Sequence, residues 1–271
     1  MILPLVAAAA LLPIDASWSR AAAWNDGRAE VARYEAHRMV YGSDRTFEAV
    51  LITVKEEFDK ALGVKADPPY EGKSLTTVLK LNVIGRIQTE NYPYNYMTSV
   101  FVSRDDPRVL VKLSQSSQEW CGTTFKEVVT WDGPPHMNFN SYFDGQADGR
   151  HPVALEGGAL LEEQLLLVLR AADLKSGQRY SFLLFDSLVT NSVKLPTAAP
   201  AEAVLAGEET LDTEAGPFAT RRIEIRSPSD ATPRLTVWIE DEVRRALVKL
   251  KAADGRSLLL KEISRRDYWS R

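Results

Sequence analysis

The chain of 271 residues carries 33 Lys and Arg against 37 Asp and Glu, a formal net charge of −4. That balance provides no basic surface for a phosphate backbone, so nucleic acid is not an expected partner. With 3 His and 1 Cys, the material for zinc, haem or iron–sulfur ligation is thin, no cofactor is expected, and an intramolecular disulfide is excluded.

Residues 2–12, ILPLVAAAALL, form an uncharged apolar run. It is shorter than the roughly 20 residues a membrane-spanning helix requires. It has the length of a signal-peptide hydrophobic region, and Ala21-Ala22-Ala23 before Trp24 offers a small-residue cleavage pattern, although no Lys or Arg follows Met1. Residues 1–23 are therefore expected to be a signal peptide. Residues 24–271 are expected to be one periplasmic or secreted domain without an integral membrane segment, with a subdivision near residues 190–215 as the alternative.

From Trp24 onward, strand-like segments dominate. Residues 29–41 fit helix or strand. The turn chemistry of Gly42-Ser43-Asp44 favours a hairpin into the alternating segment 46–56, TFEAVLITVKE. Residues 64–70 hold Pro68 and Pro69 and read as a loop. Segments 76–90, 96–103, 108–116, 125–131 and 137–143 continue the strand pattern, broken at Tyr92-Pro93-Tyr94, Asp105-Asp106-Pro107 and Gly133-Pro134-Pro135.

Residues 159–172, ALLEEQLLLVLRAA, break the alternation. Leu161, Leu165, Val168 and Leu169 share one face at helical spacing, so one helix is expected there. Residues 179–186 read as a buried strand and 195–203 as a connector. Four further strands follow, at 219–226, 234–239, 244–251 and 257–263. Their short turns imply antiparallel neighbours.

The predicted fold is mainly β: one large, curved antiparallel sheet resembling a half-barrel, with one helix near residues 159–172. A sheet of this width with so little helix to cover it must curl on itself. If alternate residues face the interior, Lys80 and Asn82 are candidates to orient a ligand, the competing reading being a solvated sheet face. Phe101 and Trp120 belong to a group of aromatics that form core or line a cavity.

None of the nucleophile elbow, the P-loop, the zincin pair or the dinucleotide fingerprint is present, and no catalytic residue is assigned. Cys121, in Gln118-Glu119-Trp120-Cys121-Gly122, reads as a buried structural thiol or as a nucleophile needing a base, for which His37, His136 and His151 are the available histidines. Two functional classes follow. The first is a non-enzymatic envelope protein that binds a lipid, another hydrophobic small molecule or an envelope protein. The second is a periplasmic hydrolase using Cys121 or a carboxylate pair.

Tyr41-Gly42, Lys65-Ala66-Asp67, Tyr92-Pro93-Tyr94 and Gln118–Gly122, with the strings around them from Trp24 to about Tyr142, resemble an uncharacterised bacterial envelope family. Its members often carry the label septum formation inhibitor Maf. The resemblance implies secretion or the periplasm and assigns no catalytic residue. Val237–Lys251 is similar over a short stretch to the C-terminal hairpin of periplasmic lipoprotein-carrier-type proteins. That resemblance implies a curved sheet sheltering acyl chains.

Overall fold

The alternation running through most of the sequence folds as one sheet of 16 strands. The computed structural model describes residues 11–145, 147–155 and 158–269. The first half of the sheet comprises β1 (Ala29–Val40), β2 (Ser43–Asp59), β3 (Val64–Lys65), β4 (Leu75–Gln88), β5 (Pro93–Ser103), β6 (Leu110–Glu119), β7 (Gly122–Val129), β8 (His136–Ser141) and β9 (Gly149–Pro152). The second half comprises β10 (Leu160–Leu161), β11 (Arg179–Phe185), β12 (Ala198–Thr213), β13 (Gly216–Arg226), β14 (Leu235–Glu240), β15 (Leu247–Ala252) and β16 (Ser257–Arg266). The spatial order runs from β10 through β16 to β1, β2 and β4, and on to β9, with β3 pairing β2 off this path. All neighbours are antiparallel except β10 and β11. The edge strands β9 and β10 do not pair, so the curled sheet stays open.

The ambiguous segment 29–41 is strand because it lies between β16 and β2, which satisfy its backbone on both sides. The expected connector 195–203 is largely strand β12, a correction. Pro200 is tolerated there because β12 meets β13 only from Glu202 onward, so one side of the strand is unpaired at the proline. Within residues 190–215, Ala198–Thr213 form β12, which pairs with β11 and β13.

The expected helix is shorter than its apolar pattern. Leu160 and Leu161 pair with Leu184 and Phe185, Glu162–Gln164 form a 3-10 turn, and α-helix occupies only Leu165–Ala171. Gln164 secures the turn by donating to the carbonyls of Pro107 and Arg108 at 3.0 and 2.8 Å. Nearly every helical side chain is buried, as expected for a helix enclosed by other structure.

One apolar cluster joins this helix to the inner face of both sheet halves. It includes Leu81, Val100, Leu113 and Val128 from one half and Ile223, Val237 and Leu260 from the other, around Leu165, Val168 and Leu169. The helix is thus a plug inside the curled sheet. At its C-terminal end, Arg170 makes a paired contact with Glu30 of β1, at 2.7 and 2.9 Å, and its guanidinium carbon lies 4.8 Å from the Trp18 ring centroid.

Of the expected leader 1–23, residues 1–10 lie outside the described residues. Leu12 onward belongs to the folded body. Ala16–Arg20 is a short helix capped by Asp15, whose carboxylate also pairs with Arg245. Leu12, Trp18 and Trp24 sit in the main core, and the Trp18 indole donates to the Arg244 carbonyl at 3.0 Å. A cut after Ala23 would strip Leu12 and Trp18 from that core. Trp18→Ala should therefore lower the unfolding free energy by about 3–5 kcal/mol, and a chain starting at Trp24 should lose at least as much. Urea unfolding of the three forms checks this; equal stability would show that this segment is dispensable.

Candidate functional site

The side chains singled out in the sequence do not converge. Lys80, Asn82 and Phe101 alternate with Leu79, Leu81 and Val100, which enter the main core, so they occupy the opposite, convex face. Of the two readings of Lys80 and Asn82, the structure places them on the outer face rather than the interior. Lys80 bonds Glu56 at 3.3 Å and lies over the Phe101 ring, 5.5 Å from its centroid. Asn82 accepts from the Ser99 hydroxyl at 2.7 Å. Phe101 packs with Phe58, Val78, Val111 and Trp131 in a separate outer cluster. Trp120 lies in the β6–β7 turn, 77% exposed, and stacks on Tyr92.

Three of the sequence motifs do meet, at one end of the sheet. The Tyr41 and Tyr94 hydroxyls are hydrogen-bonded, and Tyr92 stacks between Tyr94 and Trp120. Tyr94 stacks on Tyr96, which carries the Arg38 guanidinium 4.8 Å from its centroid. Gly122 belongs here because a Cβ would strike the Tyr142 ring at 2.5 Å. Lys65-Ala66-Asp67 lies apart, beyond the far end of β2.

Cys121 is exposed, which corrects the buried reading. Its neighbour is the Tyr92 hydroxyl at 3.2 Å, and that hydrogen bond is the main reason the phenol is pushed up to about 12. The histidines are engaged elsewhere: His37 with Asp44, His136 with the Pro134 carbonyl, and His151 with the Ala147 carbonyl. Among the described residues, no group of three His, Cys, Asp or Glu is arranged to hold a metal.

Behind the aromatic rim lies a cleft of about 140 Å³ at the N-terminal end of the plug. Phe47, Val83, Leu165, Leu166, Val237 and Leu258 form its apolar wall, and Arg38, Thr98, Glu163 and Ser187 its polar one. Arg38, Glu162, Ser187, Val189 and Arg256 also line an outer cavity of about 440 Å³, whose charged members include Asp186, Arg234 and Asp254. Phe47 reaches the cleft because Gly85 has no side chain; a Cβ there would lie 2.9 Å from the ring.

A strap, residues 186–193, covers this end, and side chains of the plug and sheet hold it. Glu163 Oε1 accepts from the Ser187 hydroxyl and the Leu188 amide at 2.6 and 2.7 Å. Lys126, fully buried, donates to the Leu188 and Thr190 carbonyls at 2.9 Å each. Thr124 donates to the Asn191 carbonyl at 2.7 Å, the Asn191 amide donates to Glu119, and Arg38 donates to the Val189 carbonyl. Burial, reinforced by Glu162, raises the Glu163 pKa above the usual carboxylate range, and burial lowers that of Lys126 to about 8.

These polar residues escape sequence reasoning because nothing local marks them as inward. Lys126 sits beside the exposed Phe125, and only its cross-strand partners Gln115 and Phe139 show that it faces inside. Glu162-Glu163 within a leucine-rich run was the available signal, since charges amid buried positions require partners.

No family model matches the chain, and no curated protein sequence matches it. Among solved structures, the chain is similar to a β-barrel-like protein of a domain of unknown function, DUF1849, from Brucella abortus. That protein has 11% identity to this chain, covers 89% of it over 98% of its own length, and gives a TM-score of 0.49. The fold itself is a curled open β-sheet with a helical plug and a small cleft beside the plug.

Two measurements test this geometry. Between about pH 8 and the unfolded value of 10.5, folded Lys126 is neutral while the unfolded chain still binds the proton. Stability relative to Lys126→Met should therefore rise across that window, by at most about 1.4 kcal/mol per pH unit, and stay flat below it. Urea unfolding at several pH values gives the difference; a pH-independent difference would contradict a buried amine. Cys121 should react with a thiol reagent in the native protein about as fast as in urea, whereas strong native protection would contradict its exposure.

Proposed function

We propose that this is an exported, non-enzymatic envelope protein that binds an apolar or amphiphilic small molecule in the cleft beside the plug. The observation that carries the reading is an apolar cleft opening into a charged outer cavity. Ligand pockets combine an apolar wall with a few polar groups that orient the ligand in this way. The volume argues for a small occupant: a cavity of about 150 Å³ accommodates one benzene.

Binding rather than turnover is favoured by how the carboxylates are used. Both Glu162 oxygens are engaged by arginines, Arg256 at 2.6 Å and Arg234 at 2.7 Å, and Glu163 holds the strap. Cys121 lies outside the cleft lining and has a tyrosine rather than a base beside it. Export rests on the apolar run 2–12 and on the resemblance of residues 24–142 to the envelope family. The lipoprotein-carrier likeness of Val237–Lys251 fits the same reading, because Val237 and Leu250 line the cleft.

Native mass spectrometry of protein purified from its envelope tests the proposal. An apolar or amphiphilic adduct should accompany the wild type and be lost in Leu258→Trp, which fills the cleft. Retention of the adduct by that variant, with its thermal unfolding unchanged, would place the ligand elsewhere and reject the cleft.

A further inference from the structure

Within the cleft reading, we infer that the occupant is a single-chain amphiphile whose anionic head, a carboxylate or a phosphate, rests on Arg38. The cleft and the outer cavity meet at this residue, which lines both. The other arginines of the mouth are already paired, and its histidine is engaged. Arg256 bonds Glu162 at 2.6 Å and Asp254 at 2.7 Å. Arg234 bonds Glu162 at 2.7 Å and Asp186 at 3.1 Å. His37 faces Asp44 at 3.2 Å and Glu35 at 3.6 Å.

Arg38 is met differently. One nitrogen donates to the Val189 carbonyl and the Tyr96 ring covers the guanidinium. Among the described residues no carboxylate is in ion-pair contact with it, and Asp254 and Glu163 act on it only through longer-range attraction. Among the described residues its Nε and Nη1 meet no hydrogen-bond partner, and neither is among the sealed, unpartnered atoms of the interior. Partial burial costs the cation hydration that a ring and one carbonyl replace incompletely, and it lowers the pKa. An oxyanion restores the lost interaction through charge-assisted hydrogen bonds. A quaternary ammonium head would be repelled, and an alcohol would bring no counter-charge.

Glu163 adds a second polar group on the same cleft. Its Oε1 is occupied by the strap, whereas its Oε2 is buried without a protein partner. In the protonated form that burial favours, the carboxyl becomes a hydrogen-bond donor on the polar wall that also holds Arg38, Thr98 and Ser187. The apolar side sets the tail. A volume of about 140 Å³ admits one chain end or one ring and excludes a pair of acyl chains.

Calorimetric titration with octanoate, octyl phosphate, octanol, octyltrimethylammonium and acetate tests the inference. The two tailed anions should bind wild-type protein about tenfold or more tightly than octanol, a gap of about 1.4 kcal/mol. The ammonium compound and acetate should be weakest. Arg38→Met should abolish the gap, Arg38→Lys should keep part of it, and Leu258→Trp should weaken every tailed ligand. If Arg38→Met does not fold, the wild-type head series decides alone. Equal binding of octanol and octanoate, or a gap that survives Arg38→Met, overturns the head assignment and leaves the cleft reading intact. Failure of every tailed ligand overturns the cleft reading itself. Acetate binding as tightly as octanoate would indicate a small-anion site and overturn the amphiphile.

Discussion

A curled sheet of this width must fill its interior, and here a seven-residue helix does so. The contact that positions it is the buried pair between Arg170 at the end of the plug and Glu30 at the start of β1. Both side chains are at least nine-tenths buried, and Arg170 uses its remaining donors on the carbonyls of Arg244 and Arg245. Breaking such a pair leaves an uncompensated charge in the interior, which costs about 3–5 kcal/mol. The indoles of Trp18 and Trp24 pack edge to face beside it and lie close to the guanidinium. One interaction thus ties the N-terminal segment, the plug, β1 and the β14–β15 connection together.

Anchoring the plug at its C-terminal end leaves its N-terminal end to define the other mouth of the sheet. There the chain places Glu162 and Glu163 rather than leucines; Arg234 and Arg256 pair with Glu162, and Glu163 and Lys126 hold the strap. The result is an interior packed at one end and polar, with residual space, at the other. The strap closes that end through side-chain hydrogen bonds to its backbone and a backbone bond from the Ala147 amide to the Val193 carbonyl at 3.1 Å. Leu188 and Val193 of the strap are buried in the main core, so its closure rests on apolar packing as well as on these hydrogen bonds.

The strand content was legible because a half-buried sheet writes its pleat into the sequence, as in Thr46–Glu56 and Ala219–Arg226. The helix was legible in kind but not in extent, because Leu160-Leu161 fits a strand edge as well as a helix start. Which face points inward was not legible for charged residues. Lys80 and Lys126 both lie in alternating segments; one stacks on Phe101 outside, and the other is sealed inside with two carbonyls. Only pairing register and the course of the strap, remote in sequence, separate them. Cys121 misled for a related reason: free cysteines are usually buried, but a two-residue turn between β6 and β7 pushes this one to the rim. The rim motifs were visible as motifs, yet their convergence depends on turns of three different hairpins.

The central claim is that the space beside the plug, rather than the convex aromatic cluster around Phe101, receives the ligand. Methyl-resolved nuclear magnetic resonance during titration with octanoate tests it most directly. Shifts should concentrate on Val83, Leu165, Leu166, Val237 and Leu258, with Val78 and Val111 of the outer cluster unmoved. Shifts confined to Val78 and Val111, or an interior silent at saturation, would contradict the account.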